Sequence, residues 1–308
     1  MSAVRERKRR MVSGWNDVYL GNYKKSGAEL ILGSGQFIGP KTLEVTLPDG
    51  TRRQLRGTNV IVNTGTHASS EPIPGLVEVQ PLTHIEALEL DEVPTHLIVL
   101  GNGYVGLELA QAMRRFGSKV TLIGRRSRLL PNEDEDVSEA LQLLFHDEGI
   151  DLILSAKTKR VLGKSGDCVR VLLEKNSNGA QKAVDGSHLL LATGRAPNTH
   201  GIGLELAGVE LTDGGCIKVN EHLETTAPGV WAIGEVAGSP QFTHVSVDDF
   251  RVVHASIMGG NRVTAGRQIP FCLFTDPELA RFGLNEKETK AQGILPPVQD
   301  PDVSGDAR

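Results

Sequence analysis

The chain has 308 residues, a hydrophobic content of 39% and a formal net charge of -5. That length holds about two or three domains with sizeable cores, and the mild, scattered acidity gives no electrostatic case for nucleic acid or an anionic membrane as a partner. The three cysteines, Cys168, Cys216 and Cys272, are spaced too widely for a CxxC motif or a disulfide framework, which fits a reducing cytoplasm. No apolar run reaches the ~18 residues of a membrane span, and the basic start leads into no apolar stretch of the export type.

Val4, Met11, Trp15 and Val18 recur at helical spacing and predict an amphipathic first helix with Arg5, Lys8 and Arg9 on its solvated side. Residues 29–33 read as a strand, and residues 43–47 and 52–55 as a hairpin about Pro48-Asp49-Gly50. The strand at 59–63 runs into Thr64-Gly65-Thr66, and a loop with Pro72, Pro74 and Gly75 marks a domain crossing. From His96 the pattern becomes a buried strand, a glycine turn, an apolar-periodic helix to about Phe116 and a second strand at 119–123, a βαβ unit. A helix over 136–148 ends at Gly149, with strands at 151–154, 169–174 and 188–192. Beyond Gly194, strands at 217–219 and 230–233 precede a helix over 247–259. A last strand at 271–274 and a helix starting near Asn285 lead to a polar, proline-bearing tail over 293–308 that reads as disordered.

Gly101-Asn-Gly103-Tyr-Val-Gly106 follows a predicted strand and opens a predicted helix, the context of a dinucleotide fingerprint. Gly101 permits the tight turn, Gly103 lets backbone approach a pyrophosphate, and Gly106 allows close helix-on-strand packing. Backbone N–H groups and the helix dipole then hold the phosphates. At the end of the next strand, where an acid would bind the ribose of NAD, the chain has Gly124-Arg125-Arg126-Ser127-Arg128. Arg125 and Arg126 either bind the 2′-phosphate of NADP or form a solvated loop.

Taken together, several motifs resemble the pyridine nucleotide-disulfide oxidoreductases. They are 62–66 leading to 72–75, 101–108, Ala192-Thr-Gly-Arg-Ala-Pro-Asn198, 226–235 and 271–283, in the family's order. The wording of 5–15, 38–40 and 271–280 is nearest the mercuric-reductase-like branch. The resemblance implies an α/β fold of two Rossmann-like domains of three-layer ββα type, one for FAD and one for NAD(P), with the FAD domain incomplete and the start of an α+β dimerisation domain. The division it suggests is 1–75 and 196–265 for FAD, 76–195 for NAD(P) and 266–292 for the dimerisation segment. Thr64, Gly65, Gly234 and Glu235 would serve FAD, Glu235 standing where the family usually has aspartate, and Gly194 would join the NADP set. Tyr104 resembles the aromatic gate over the flavin, or is a helix-start residue packed on the sheet. Glu108 resembles the acid that pairs with a lysine near the flavin, or is a surface helix position.

The implied activity is hydride transfer from NADPH, with NAD possible, to FAD and on to a small-molecule, disulfide or metal-ion acceptor in a cytoplasmic homodimer. Family members also carry an N-terminal GxGxxG, a CxxxxC pair and a C-terminal His-Glu pair, which this sequence lacks, so the resemblance implies a frame cut short at both ends. Three outcomes stay open on the residues: a working oxidoreductase, a nucleotide-binding remnant without turnover, and a truncated product that does not fold. The cysteines, in or beside predicted strands, are expected to be buried small hydrophobes.

Overall fold

A computed structural model of the chain describes residues 1–175 and 181–294, so most of the tail lies outside the described residues. In chain order, α1 (Ser2–Ser26) leads to β1 (Ser34–Gly39), β2 (Thr42–Thr46), β3 (Arg52–Arg56), β4 (Val60–Val62), β5 (Thr66–Ala68) and α2 (His84–Ala87). The βαβ unit follows as β6 (His96–Leu100), α3 (Tyr104–Arg115) and β7 (Lys119–Ile123), then α4 (Glu135–Asp147) and β8 (Asp151–Ile153). Next come β9 (Ala156–Lys164), β10 (Cys168–Lys175), β11 (Gln181–Gly186), β12 (His188–Leu191) and β13 (Arg195–Pro197). The described chain closes with β14 (Val230–Ala232), α5 (Thr243–Ile257), β15 (Phe271–Leu273), β16 (Leu279–Arg281) and α6 (Glu286–Ala291).

Two compact units interleave along the chain. One comprises Met1–Glu71, Thr83–Glu92 and Thr193–Arg267; the other comprises Pro72–Leu82, Val93–Ala192 and the described residues from Gln268.

In the second unit, β12, β6, β7 and β8 form a parallel sheet in that order. Residues 97–100 read as one apolar run because all four are buried, as a parallel strand covered on both faces requires. Ile98, Leu100, Ile123, Ile153, Leu189 and Leu191 cluster with Val161, Val169, Val171 and Leu173 of the antiparallel β11-β10-β9 sheet. Successive side chains on a strand point to opposite faces, so the other face meets α3 and α4, which bury Leu107, Ala110, Met113, Leu141 and Phe145. Antiparallel sheet, parallel sheet and helices are the three layers expected from the motifs.

The first unit holds the β1-β2-β3 meander, the parallel pair β4 and β14, and the antiparallel pair β5 and β13. Phe37, Val62, Val230, Ala232 and Val236 lie in one core cluster. Trp231 faces the other way, with Leu223 and with Val252 and Val253 of α5.

Several local expectations need correction. The first helix forms, but its orientation is reversed: no residue of α1 is buried, Met11, Trp15 and Val18 are exposed, and the basic side makes the contacts. Arg5 pairs with Asp91, and Lys8 and Arg9 pair with Glu89, acids that belong to the same unit. Residues 29–33 form no strand; pairing starts at Ser34, opposite Thr46, and Gly33 sits too close to the Thr46 carbonyl for a side chain. Residues 217–219 contribute only isolated bridges. Cys168 is exposed beside the β9-β10 turn, opposite Lys164, and Cys216 and Cys272 are partly exposed, so none is the buried hydrophobe expected.

Candidate nucleotide and flavin sites

Each unit carries one of the turns picked out in the sequence. In the second unit, β6 ends at Leu100 and α3 begins at Tyr104, so Gly101, Gly103 and Gly106 occupy the strand-to-helix turn. Gly101 has φ 116°, a conformation only glycine adopts freely. A Cβ on Gly106 would lie well inside 3.0 Å of the Gly101 carbonyl oxygen and 3.3 Å from Ala192 Cβ. Gly103 differs, because a Cβ there would meet nothing within 4 Å. It is the N-cap of α3 and makes no side-chain cap bond, so the first-turn N–H groups take no acceptor from the cap and the space beside Gly103 is open. That open turn fits a pyrophosphate.

The neighbouring loop is tied to this turn by a residue that the sequence did not single out. Asn102 Nδ2 donates to the Arg128 carbonyl at 2.8 Å, and Gly124 leaves the room, since a Cβ there would stand 2.8 Å from Asn102 Cγ. Arg125 and Arg126 are exposed, whereas Arg128 is partly buried and pairs with Glu135 at 3.1 Å. The strand end therefore presents two exposed guanidinium groups, the first of them directly after Gly124.

Tyr104 is partly buried, and burial pushes its phenol above the ordinary tyrosine value, with the Glu133 carboxylate acting in the same direction. Glu108 is no plain surface position: its Oε1 accepts the N–H of Phe274 at 2.9 Å. One turn further on, Gln111 Oε1 accepts the N–H of Asp276 at 2.8 Å. Glu108 and Gln111 thus anchor the segment after β15 to α3, a role invisible in their spacing alone.

In the first unit, the Thr64-Gly65 turn is pinned by Asn198. Thr64 Oγ1 donates to the Asn198 carbonyl at 2.9 Å, Asn198 Nδ2 donates back to the Thr64 carbonyl at 2.8 Å, and Asn198 N donates to Gly65 O at 3.0 Å. Gly194, at φ 145°, accepts the Ser69 N–H at 3.0 Å in this same unit.

Gly234 turns at φ 70° and is hemmed in by Ser246 Oγ and Asn63 Oδ1, which a Cβ would approach to 2.9 and 3.2 Å. Its N–H donates to Asp249 Oδ2 at 2.7 Å; Asp249 is fully buried and pairs with Arg267 at 2.5 Å. Glu235 accepts from Thr66 Oγ1 and, at 3.0 Å, from Arg195 Nε. Both bonds go to Oε2; Oε1 has no hydrogen bond among the described residues. A glycine turn followed by a carboxylate with an open acceptor fits the polyhydroxy chain of a flavin nucleotide. Thr66 and Arg195 lie inside motifs read in the sequence but carried no role there, and Asp249 and Arg267 lie in none, because a buried acid on a helix and its distant arginine have no local signature.

The family model described as pyridine nucleotide-disulphide oxidoreductase matches residues 5–249. The chain belongs to the pyridine nucleotide-disulphide oxidoreductases. Within that family it is 36% identical over 268 residues to the probable pyridine nucleotide-disulfide oxidoreductase RclA of Escherichia coli, covering 86% of this chain and 59% of that protein. It is 35% identical over 279 residues to mercuric reductase of Bacillus cereus, covering 90% of this chain and 43% of that protein. The solved HOCl-induced flavoprotein disulfide reductase RclA from Escherichia coli superimposes with a TM-score of 0.85 at 33% identity, over 95% of this chain and 66% of that one. The chain thus spans about half the length of the curated relatives it matches. Among its described residues no helix is long and apolar enough to cross a membrane.

Proposed function

We propose that the chain is the nucleotide-binding body of an FAD-dependent NADPH oxidoreductase, with hydride passing from NADPH to FAD and on to an acceptor. The observation that carries this is the glycine turn at the N-terminus of α3, where Gly103 leaves the backbone open to approach, with Arg125 and Arg126 following the next strand. Bound FAD would supply the two-electron chemistry that no amino-acid side chain provides.

The roles of the chain's own residues follow from their chemistry. Gly101, Gly103 and Gly106 shape the pyrophosphate turn, and the first-turn N–H groups of α3 donate to it. Arg125 and Arg126 pair with the 2′-phosphate, which selects NADP over NAD. Thr64, Gly65, Gly234 and Glu235 hold FAD; Gly194, expected with the NADP set, lies in the same unit as these four. Tyr104 covers the nicotinamide position as a neutral phenol, and Glu108 acts on the flavin side. The division into a FAD-binding part (1–75 and 196–265), an NADP-binding part (76–195) and the start of a dimerisation segment (266–292) belongs to this reading, as do a homodimer and a cytoplasmic location. RclA and mercuric reductase are by name disulfide and mercuric reductases, so a disulfide or a soft metal ion is the acceptor class to assay first.

Purified protein reconstituted with FAD is expected to be yellow and to bleach on anaerobic addition of NADPH. Protein that gains no flavin absorbance with excess FAD contradicts the flavin part. Bound flavin that NADPH does not bleach contradicts the hydride transfer.

A further inference from the structure

One carboxylate oxygen at the Gly234 turn is fully engaged and its twin is not. Thr66 Oγ1 donates to Glu235 Oε2, and the one Arg195 Nε–H is shared between Thr66 Oγ1, 2.5 Å away, and Glu235 Oε2, 3.0 Å away, so the guanidinium braces the carboxylate both directly and through the threonine hydroxyl. The same guanidinium is itself fixed, since Nη2 donates to the Thr66 carbonyl at 2.9 Å and the β5-β13 ladder pairs Pro197 with Thr66 and Arg195 with Ala68. Asp249 fixes the backbone end of the turn through the Gly234 N–H. Glu235 is therefore held at both its main chain and one carboxylate oxygen.

The Arg195 and Glu235 side chains are 22% and 27% exposed, so the pair is screened less than a surface salt bridge. A glutamate normally loses several rotamers when it takes a ligand, and that entropy weakens binding. Here the ordering has already been done by protein groups. Oε1, which makes no hydrogen bond among the described residues, is the Glu235 acceptor left for a ligand hydroxyl.

We propose that Arg195 and Thr66 are positioning residues, which pre-order Glu235 so that Oε1 accepts a hydroxyl from the ribityl chain of FAD. The inference rests on the FAD reading given under Proposed function. The opposite arrangement, in which Arg195 competes with the ligand for Glu235, has the opposite sign in the same experiment.

The test is the FAD dissociation constant of the full chain, from flavin fluorescence and calorimetry, for wild type, Arg195→Gln, Arg195→Lys, Thr66→Val, Glu235→Gln and the Arg195→Gln/Glu235→Gln double variant. Arg195→Gln and Glu235→Gln are each expected to weaken FAD binding about tenfold. The double variant is expected to be little worse than either single one, because both remove the same coupling. Arg195→Lys should recover part of the loss by restoring a charged donor, and NADPH affinity should stay unchanged throughout. Should Arg195→Gln unfold, Thr66→Val serves instead, with an expected loss of about threefold. FAD binding that is unchanged or tighter in Arg195→Gln, or losses that multiply in the double variant, overturns the brace while leaving the flavin reading intact. A wild type that takes up no FAD overturns the flavin reading and the ligand of the brace with it.

Discussion

The N–H of Gly234 donates to Oδ2 of Asp249 at 2.7 Å, and the other oxygen of that fully buried carboxylate lies 2.5 Å from Arg267 Nη1. A turn that must leave a glycine at φ 70° is thus anchored to α5 by a buried ion pair. Removing the carboxylate leaves the Arg267 guanidinium, 17% exposed, without its main partner and the Gly234 N–H without an acceptor. Asp249→Ala is expected to cost about 3–5 kcal/mol, measured as a lower urea midpoint. An unchanged midpoint would show that the pair contributes nothing.

The glycines of the strand-to-helix turn separate packing from ligand access. Gly106→Ala forces a Cβ against the Gly101 carbonyl, so the backbone of the turn must move. The expected cost is about 1–3 kcal/mol of stability, read from urea unfolding. A Gly106→Ala protein as stable as wild type would mean that helix and strand pack less closely than the structure shows.

Tyr104 is one of three tyrosines. Burial, supported by Glu133, raises its pKa, so it should ionise later than an ordinary phenol. Ultraviolet difference titration of wild type against Tyr104→Phe should show the missing component ionising above the ordinary value of 10.0. A difference signal that is complete by pH 10 would contradict a partly buried phenol.

Part of this site was legible without coordinates, and the reasons are local. Residues 96–123 announce strand, turn, helix and strand because one short apolar run, three glycines and a 3.6-residue period fall within about 30 residues. Strands β9 and β11 are not legible in the sequence because their solvent faces carry Lys157, Arg160 and Lys182, leaving too few buried positions, such as Val161 and Val184, to set a period. The face by which α1 packs is not legible in its apolar spacing, which assumes an apolar neighbour, because Glu89 and Asp91 hold its basic side instead. Arg195, some 40 residues from Glu235 in sequence, becomes its partner only when β13 pairs with β5.

His84, His96 and His188 have pKa values lowered first by burial, with the positive charges of Arg195 and Lys119 adding to the effect at His84 and His96 respectively. A lowered value means that the folded protein keeps these rings neutral while the unfolded chain takes up protons. Their contribution to stability is present above the ordinary histidine value of 6.5 and is lost as pH falls below it. The urea midpoint should therefore drop between about pH 7.5 and about pH 5.5, and less so in the His96→Gln/His188→Gln variant. A midpoint independent of pH across that window would contradict the assignment.

On the proposed reading, the turn at Gly103 binds the pyrophosphate of NADPH, and Arg125 and Arg126 select its 2′-phosphate. Titration calorimetry of NADPH and NADH against wild type, Gly103→Val and Arg125→Ala/Arg126→Ala tests it most directly. Wild type should prefer NADPH. Gly103→Val, whose Cβ would meet nothing within 4 Å in the protein, should lose both nucleotides while still unfolding in one cooperative transition, its midpoint lowered only by the poorer N-cap. The double arginine variant should weaken NADPH about tenfold or more and leave NADH nearly unchanged. NADPH binding that survives Gly103→Val at wild-type affinity, or equal affinity for NADPH and NADH in the wild type, would contradict the account.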